Sequence, residues 1–312
     1  MAWQPGLIHP EDNRIEVNGQ YLNYREWVPA ASGVVSPAFL LVHGLASSLR
    51  IWDLVANELV KLTGSRVVAL DQRGHGRSDK PDDGYENAQI VADDYAFVSR
   101  LPLAKPVLIG HSWGATVVLA YAAAHPEEVS SVVLVDGGMG NMWARGGLDN
   151  WDEVARRLAP PDFAGTTRSK FLDFYRQGGQ GRYLGTVWND TLEDMVLNIV
   201  EWRSDDTVGP RLSRENHMKI LHSLWQADNY FFAEQVRCPV LLISAETGQP
   251  EAAEWSQAKR AGAAAMVELI QKNGVAVEFV AMPDTIHDIP LQRPARLAEL
   301  VVEFGRKAGV IK

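Results

Sequence analysis

A chain of 312 residues with one cysteine, Cys238, forms no intrachain disulfide and no cysteine-based metal site. It also lacks a basic cluster. The net charge is −9 and no run of Lys and Arg offsets it, which argues against nucleic acid and anionic membrane surfaces as partners. Residues 1–13 carry neither a basic leader nor an apolar core, so no secretory signal is expected and a cytoplasmic location is the default. The longest apolar run follows Ser112 and is too short to span a bilayer. There is no internal repeat and no low-complexity tract. What remains is an ordinary globular composition, 46% apolar, long enough for one large core plus an insertion.

Residues 14–27 alternate around Asn18-Gly19 and predict a β-hairpin. Short apolar runs over 38–42, 66–70, 105–110, 129–135, 239–244 and 275–282 predict buried strands. Helices are expected after Ser47-Ser48, where Ile51, Leu54, Val55, Leu59 and Leu62 keep a helical period, and over 87–101, 113–125, about 251–273 and about 294–307. This alternation predicts an α/β fold: a mostly parallel sheet with helices on both faces. It breaks from about 139 to 235, where no apolar β run is found and helical stretches alternate with Gly, Pro and Asp. The chain is therefore expected to divide into a first core part over 1–138, a helical cap over 139–235 inserted after the strand ending at Asp136, and a second core part over 236–312. Ligands of such sheets bind beyond the carboxyl ends of the strands, which puts the cap over the site. Trp143, Trp151, Trp188, Trp202 and Trp225 fall in the cap. They read equally as walls for an apolar or aromatic substrate and as packing of cap onto core.

Between the strand over 105–110 and the helix after it stands Gly110-His111-Ser112-Trp113-Gly114. A strand that turns at once into a helix forces its junction residue into a strained backbone, and flanking glycines let the two elements approach. That geometry lifts the Ser112 hydroxyl clear of the sheet. The pentapeptide alone matches by chance; the strand before it and the helix after it give it weight. A serine hydroxyl needs an adjacent base. Among eight histidines, His287 lies in the loop after the last strand, at the sheet's carboxyl edge. His43 and His75 also follow strands, but each sits in a glycine turn and reads as a loop brace. His111 adjoins the serine, yet neighbours on a tight turn point apart. An acyl-transfer oxyanion needs two preorganised N–H donors. Trp113 supplies one, and Leu45, in the turn His43-Gly44-Leu45, the other. The carboxylate that orients the imidazole has two candidates at strand ends. Asp136 closes the strand next after the nucleophile's own and is preferred; Glu246 is the alternative.

With these residues, and with Asp71, Arg73, Gly74, Gly76 and Ser78 in a D-x-R-G-x-G-x-S loop, the chain resembles the α/β-hydrolase superfamily from about residue 14 to residue 308. It looks most like the capped branch that includes epoxide hydrolases, haloalkane dehalogenases, C–C bond hydrolases and enol-lactonases. In that branch the D-x-R-G-x-G-x-S loop is a structural signature, implying a brace here. Two departures stand out. Most members carry the acid in the loop after the strand matching 239–244, where Gly248 stands here; some dehalogenases take it from the end of the strand matching 129–135, where Asp136 falls. Epoxide hydrolases and dehalogenases also use Asp where this chain has Ser112, so the resemblance implies an acyl-enzyme rather than an alkyl-enzyme. The expectation is a serine hydrolase of a small-molecule carboxylic ester or lactone, needing no metal or organic cofactor. The same triad would serve a C–C bond hydrolase, an acyltransferase or a perhydrolase, and a receptor-like member would bind ligand with little turnover.

Overall fold

A computed structural model describes residues 8–29, 35–101, 103–144, 148–177, 184–248 and 253–312. The opening residues 1–7, most of the loop before the second expected strand, and the first two residues expected of the helix from 251 lie outside them. The hairpin joins β1 (Asn13–Val17) to β2 (Gln20–Trp27) through Asn18 and Gly19, at φ 50° and 77°. Left-handed values at both turn residues are what an Asn-Gly hairpin provides. Next come β3 (Val35–Val42), α1 (Asp53–Thr63), β4 (Ser65–Leu70), α2 (Asn87–Arg100), β5 (Val107–His111), α3 (Trp113–Ala124) and β6 (Ser131–Val135). Ser48 caps a short 3₁₀ turn, Leu49–Trp52, that leads into α1. Gly64, at φ 65°, closes α1 by donating to Val60 O.

After β6 the chain forms α4 (Trp151–Leu158), β7 (Thr166–Thr167), α5 (Arg168–Gln177), α6 (Asp190–Leu197), β8 (Val200–Trp202), β9 (Thr207–Pro210), α7 (Arg214–Gln226) and α8 (Asn229–Gln235). It returns to the core with β10 (Val240–Glu246), α9 (Ala253–Lys272), β11 (Val277–Pro283), α10 (Ile289–Gln292) and α11 (Pro294–Lys307). Among the described residues, eight strands form one sheet in the order β1-β2-β4-β3-β5-β6-β10-β11. The pairs from β4 through β11 are parallel, and only the hairpin side is antiparallel. The expected α/β architecture is therefore the observed one.

Strand periodicity splits the core in two. Phe39, Leu41, Ile109, Val133 and Leu241 point to the layer of α1 and α11; Leu40, Val42, Leu108, Leu134 and Leu242 point to α2, α3 and α9. Each such fully buried aliphatic side chain contributes roughly 1.5–3 kcal/mol relative to exposure. α3 is buried all round because the sheet lies on one side and α2 and α8 on others. It stops at His125 because Pro126 cannot continue it.

The segment between β6 and β10 is not purely helical, contrary to the sequence expectation. β7, β9 and β8 form an antiparallel three-stranded sheet. Its strands are two to four residues long and include Thr, Glu and Gly, too short and polar to register as apolar runs. α8 packs on α3 and α9, in the layer flanking the main sheet. The overlying unit, expected over 139–235, therefore includes one helix that packs against the core.

Candidate active site

Every strand from β3 to β11 that runs parallel ends at one rim, and the chemistry-bearing residues sit there. Ser112 follows β5 directly and caps α3 with φ 55° and ψ −118°, a conformation that non-glycine residues rarely adopt. Three glycines make room for that turn. A Cβ at Gly110 would overlap the Gly114 carbonyl, one at Gly114 would overlap the Val42 carbonyl, and one at Gly137 would overlap the Ser112 carbonyl. The Ser112 amide donates to Val135 O at 2.9 Å, locking the turn to the next strand. Its hydroxyl makes no side-chain hydrogen bond among the described residues and faces open space.

His287 lies four residues past β11, with 37% of its side chain exposed. Its Nδ1 lies 2.5 Å from Asp136 Oδ2. Asp136 itself is buried at the end of β6, in left-handed backbone at φ 46°, its amide donating to Ile243 O at 2.7 Å. Its other oxygen, Oδ1, accepts from the Ala245 amide at 2.8 Å and from Lys259 Nζ at 2.7 Å. Burial opposes the Asp136 charge, but the hydrogen bonds and charges of His287 and Lys259 outweigh it and hold the carboxyl well below the usual carboxylate range. Facing a carboxylate oxygen, Nδ1 is the donor nitrogen of His287 in that contact. Ser112 and His287 line the same two cavities. Among the described residues no hydrogen bond joins the Ser112 hydroxyl to His287.

Glu246, the alternative acid, turns elsewhere. Its carboxylate bonds Arg260 at 2.6 Å and accepts from Ser244 Oγ at 3.2 Å, and it makes no contact with the imidazole. The Leu45 and Trp113 amides flank Ser112, and among the described residues neither donates to a backbone or side-chain acceptor. His43, His75 and His111 each make hydrogen bonds near the rim. His43 Nδ1 donates to Gly44 O at 2.8 Å while its Nε2 accepts from the Gln72 amide at 3.0 Å. His75 donates to Arg73 O, accepts from the Ala46 amide at 3.3 Å and stacks on Trp113. Burial lowers the pKa of both, His75 the more strongly. His111 lines a cavity with Ser112 and His287, and its Nε2 donates to the His287 carbonyl at 2.8 Å. Burial, then the neighbouring His287, push its pKa down to about 4, so the ring stays neutral. The Asp71 carboxylate holds the rim by accepting from the Leu49 and Arg77 amides and from Asn23 Nδ2.

A cavity of ≈ 310 Å³ runs from Ser112 beneath the overlying unit, walled by Phe163, Phe171, Phe174, Tyr175, Leu212 and Leu221. The five tryptophans of the cap are absent from this wall. Trp151 and Trp225 pack on His222, Trp188 lies under Arg176, Trp202 lies under Arg168, and Trp143 is exposed. The tryptophan contacts lie within the 139–235 segment, and phenylalanines rather than tryptophans line the cavity. A second cavity of ≈ 520 Å³ opens on the other side of Ser112, reaching Asp136, Lys259 and Trp255.

Lys259 was not legible as a site residue, although a signal for it exists. It shares one stripe of α9 with the buried Ala263, Met266 and Ile270, at helical spacing, so a lysine stands where the period calls for an apolar residue. The contact of His111 with residue 287 was not legible either, because its partner is a backbone carbonyl, which no side-chain pattern announces.

A doubly wound sheet with a strained serine at the strand-to-helix turn and a paired His–Asp across the rim is the framework of hydrolases. The chain belongs to the α/β-hydrolase fold family, whose description matches residues 37–252. A 2-(acetamidomethylene)succinate hydrolase of Mesorhizobium japonicum is 38% identical over 138 residues, 44% of this chain and 46% of that protein, so the match spans about half of the relative's length. A bifunctional esterase/perhydrolase of Acinetobacter calcoaceticus is 28% identical over 292 residues, covering 93% of this chain and 97% of the relative. Among solved structures, the enol-lactonase from Burkholderia xenovorans LB400 superposes with a TM-score of 0.67 at 21% identity, covering 94% of this chain and 99% of that one. At that identity the likeness shows the fold. Among the described residues no helix is long and apolar enough to cross a membrane.

Proposed function

We propose that this protein is a serine hydrolase of a carboxylic ester or lactone, with Ser112 as nucleophile, His287 as base and then acid, and Asp136 as the carboxylate that orients His287. The observation that carries the reading is the 2.5 Å contact between His287 Nδ1 and a buried Asp136, on cavities shared with an unpartnered serine hydroxyl. With Nδ1–H committed to Asp136, the Nε2 lone pair takes the Ser112 proton as Oγ attacks the substrate carbonyl. The amides of Leu45 and Trp113 hold the oxyanion that forms. Collapse of the tetrahedral species expels the alkoxide, protonated by His287, and leaves an acyl-serine. Water, deprotonated by His287, then attacks the acyl carbon and frees Ser112.

The phenylalanine-walled cavity suits an apolar or aromatic acyl group. The residues over 139–235 serve as the cap above it. A hydrolase acting in the cytoplasm on a small molecule is the coherent setting, with Cys238 free and buried. Relatives named as a 2-(acetamidomethylene)succinate hydrolase and an esterase/perhydrolase support acyl chemistry. A second reading is favoured by the nearly full-length likeness to the esterase/perhydrolase. In it, hydrogen peroxide replaces water in the second step and a peracid leaves. A short-chain p-nitrophenyl ester tests the main reading. The native protein should give a product burst and steady turnover, and Ser112→Ala neither. Peracid formation on adding peroxide would add the second activity. Tight ligand binding without turnover would favour a receptor-like role instead.

A further inference from the structure

Lys259 carries a charge in a place where a charge is costly. Its side chain is 7% exposed, and it lines the ≈ 520 Å³ cavity shared by Ser112, Asp136 and His287. Nζ donates to Asp136 Oδ1 at 2.7 Å and to the Ala245 carbonyl at 2.9 Å, while the Ala245 amide donates to the same Oδ1 at 2.8 Å. Two donors thus hold one carboxylate oxygen, and the Ala245 carbonyl holds the lysine in turn. The carboxylate cannot rotate without breaking two charge-assisted bonds, and Oδ2 is left facing the imidazole alone.

On the serine-hydrolase reading above, we propose that Lys259 is a positioning residue for the Asp136–His287 pair, fixing which carboxylate oxygen meets His287 and partly neutralising that carboxylate. The electrostatic half of this role has a definite sign. A cation beside Asp136 lowers the negative potential felt at His287, so the imidazolium is stabilised less than it would be by a lone buried carboxylate. Groups facing the pair are few: Lys259 from α9, His111 from β5, and Asp288 at the start of α10. Glu246 on β10 is turned to Arg260. Of these, Lys259 alone makes direct contact with the Asp136 carboxylate besides His287 and the Ala245 amide.

The test compares three proteins with a p-nitrophenyl ester across pH 4.5–9, alongside urea melts. Lys259→Met should lower kcat/KM by about ten- to a hundredfold, mostly in kcat, as supporting-residue losses typically do. It should also move the acid limb of the kcat/KM profile up by about one pH unit, because imidazolium now faces an unneutralised carboxylate. Lys259→Arg, which keeps the charge, should leave the acid limb at the parent position even if kcat falls. If Lys259→Met does not fold, Lys259→Gln keeps an N–H donor without the charge and should show the same shift. A neutral variant whose pH profile and kcat match the parent overturns the proposal. Ser112→Ala run in parallel keeps the two claims apart: turnover surviving in that variant sinks the hydrolase reading itself, whatever Lys259 does.

Discussion

Replacing Asp136 by Asn has a predictable geometry, because the structure decides which way the new amide faces. Lys259 Nζ and the Ala245 amide both donate to Oδ1, so an acceptor must stay on that side. The NH₂ group therefore turns to His287, where a carboxylate oxygen lies 2.5 Å from Nδ1 in the parent. A donor at that point requires Nδ1 to accept, which moves the ring proton to Nε2 and removes the lone pair that would take the serine proton. Loss of the correct tautomer costs about 10⁴ in kcat, equivalent to about 5 kcal/mol of barrier. Stability should fall by a smaller amount, about 1–3 kcal/mol, because Lys259 keeps an oxygen acceptor but loses its counter-charge. Steady-state kinetics on a p-nitrophenyl ester and urea melts read the two effects separately. Glu246→Gln is the matched control and should stay within about twofold of the parent, since its ion pair with a half-exposed Arg260 is a surface contact. If Asp136→Asn retains turnover while Glu246→Gln loses it, the acid has been assigned to the wrong strand end.

Other consequences can be checked in the same preparations. Gly137→Ala drives a Cβ into the Ser112 carbonyl and should displace the hydroxyl, cutting the burst rate by about 10² or more; an unchanged burst would show that the turn tolerates the shift. Phe174→Ala widens the ≈ 310 Å³ cavity and should move the preference toward longer acyl chains, read as a reversal in relative kcat/KM across p-nitrophenyl esters; an unchanged ranking would take the acyl group out of that cavity. The buried histidines make stability depend on pH. His43, His75 and His111 are held below the ordinary value mainly by burial, so the unfolded chain takes up protons first, near pH 6.5. Their contribution is complete above that value and is lost as pH falls toward the folded values. For His111, lowered to about 4, this loss reaches about 3 kcal/mol by pH 4. Urea melts at pH 7.5, 5.5 and 4.5 should show the decline, with a shallower slope in His111→Asn. Asp136, held low, acts in a separate window: its stabilisation is present above the unfolded carboxylate value of about 3.9 and is lost only as pH falls below it.

Much of the frame was legible because its signals are local. β5 and β6 carry apolar runs over 107–109 and 132–135, and the Asn18-Gly19 turn fixes its hairpin by backbone preference alone. Ser112 stood out because a strand and a helix meet at it without a linker. The geometry also brings Asp136 to His287 across 151 positions of chain, a pairing that rested on strand ends sharing one rim. The unread parts depend on tertiary partners. The cap strands exist only by pairing with one another, and their two to four residues carry no period. The neighbours of the cap tryptophans, among them His222, Arg168 and Arg176, lie on other elements and carry no local signal. Lys259 reaches Asp136 from a helix more than 120 residues away in sequence, and no spacing rule links them. The buried cluster of Arg25, Arg50 and Asp53, which reaches Asp194 of the cap, was invisible for the same reason.

The most direct test of the account is to trap the nucleophile. The protein is incubated with a p-nitrophenyl alkylphosphonate, and the site of attachment is read by intact-mass and peptide mass spectrometry. One phosphonyl group per chain, on Ser112, with loss of esterase activity in proportion to labelling, is the predicted result. Labelling of another residue, or full ester turnover in Ser112→Ala, would contradict it.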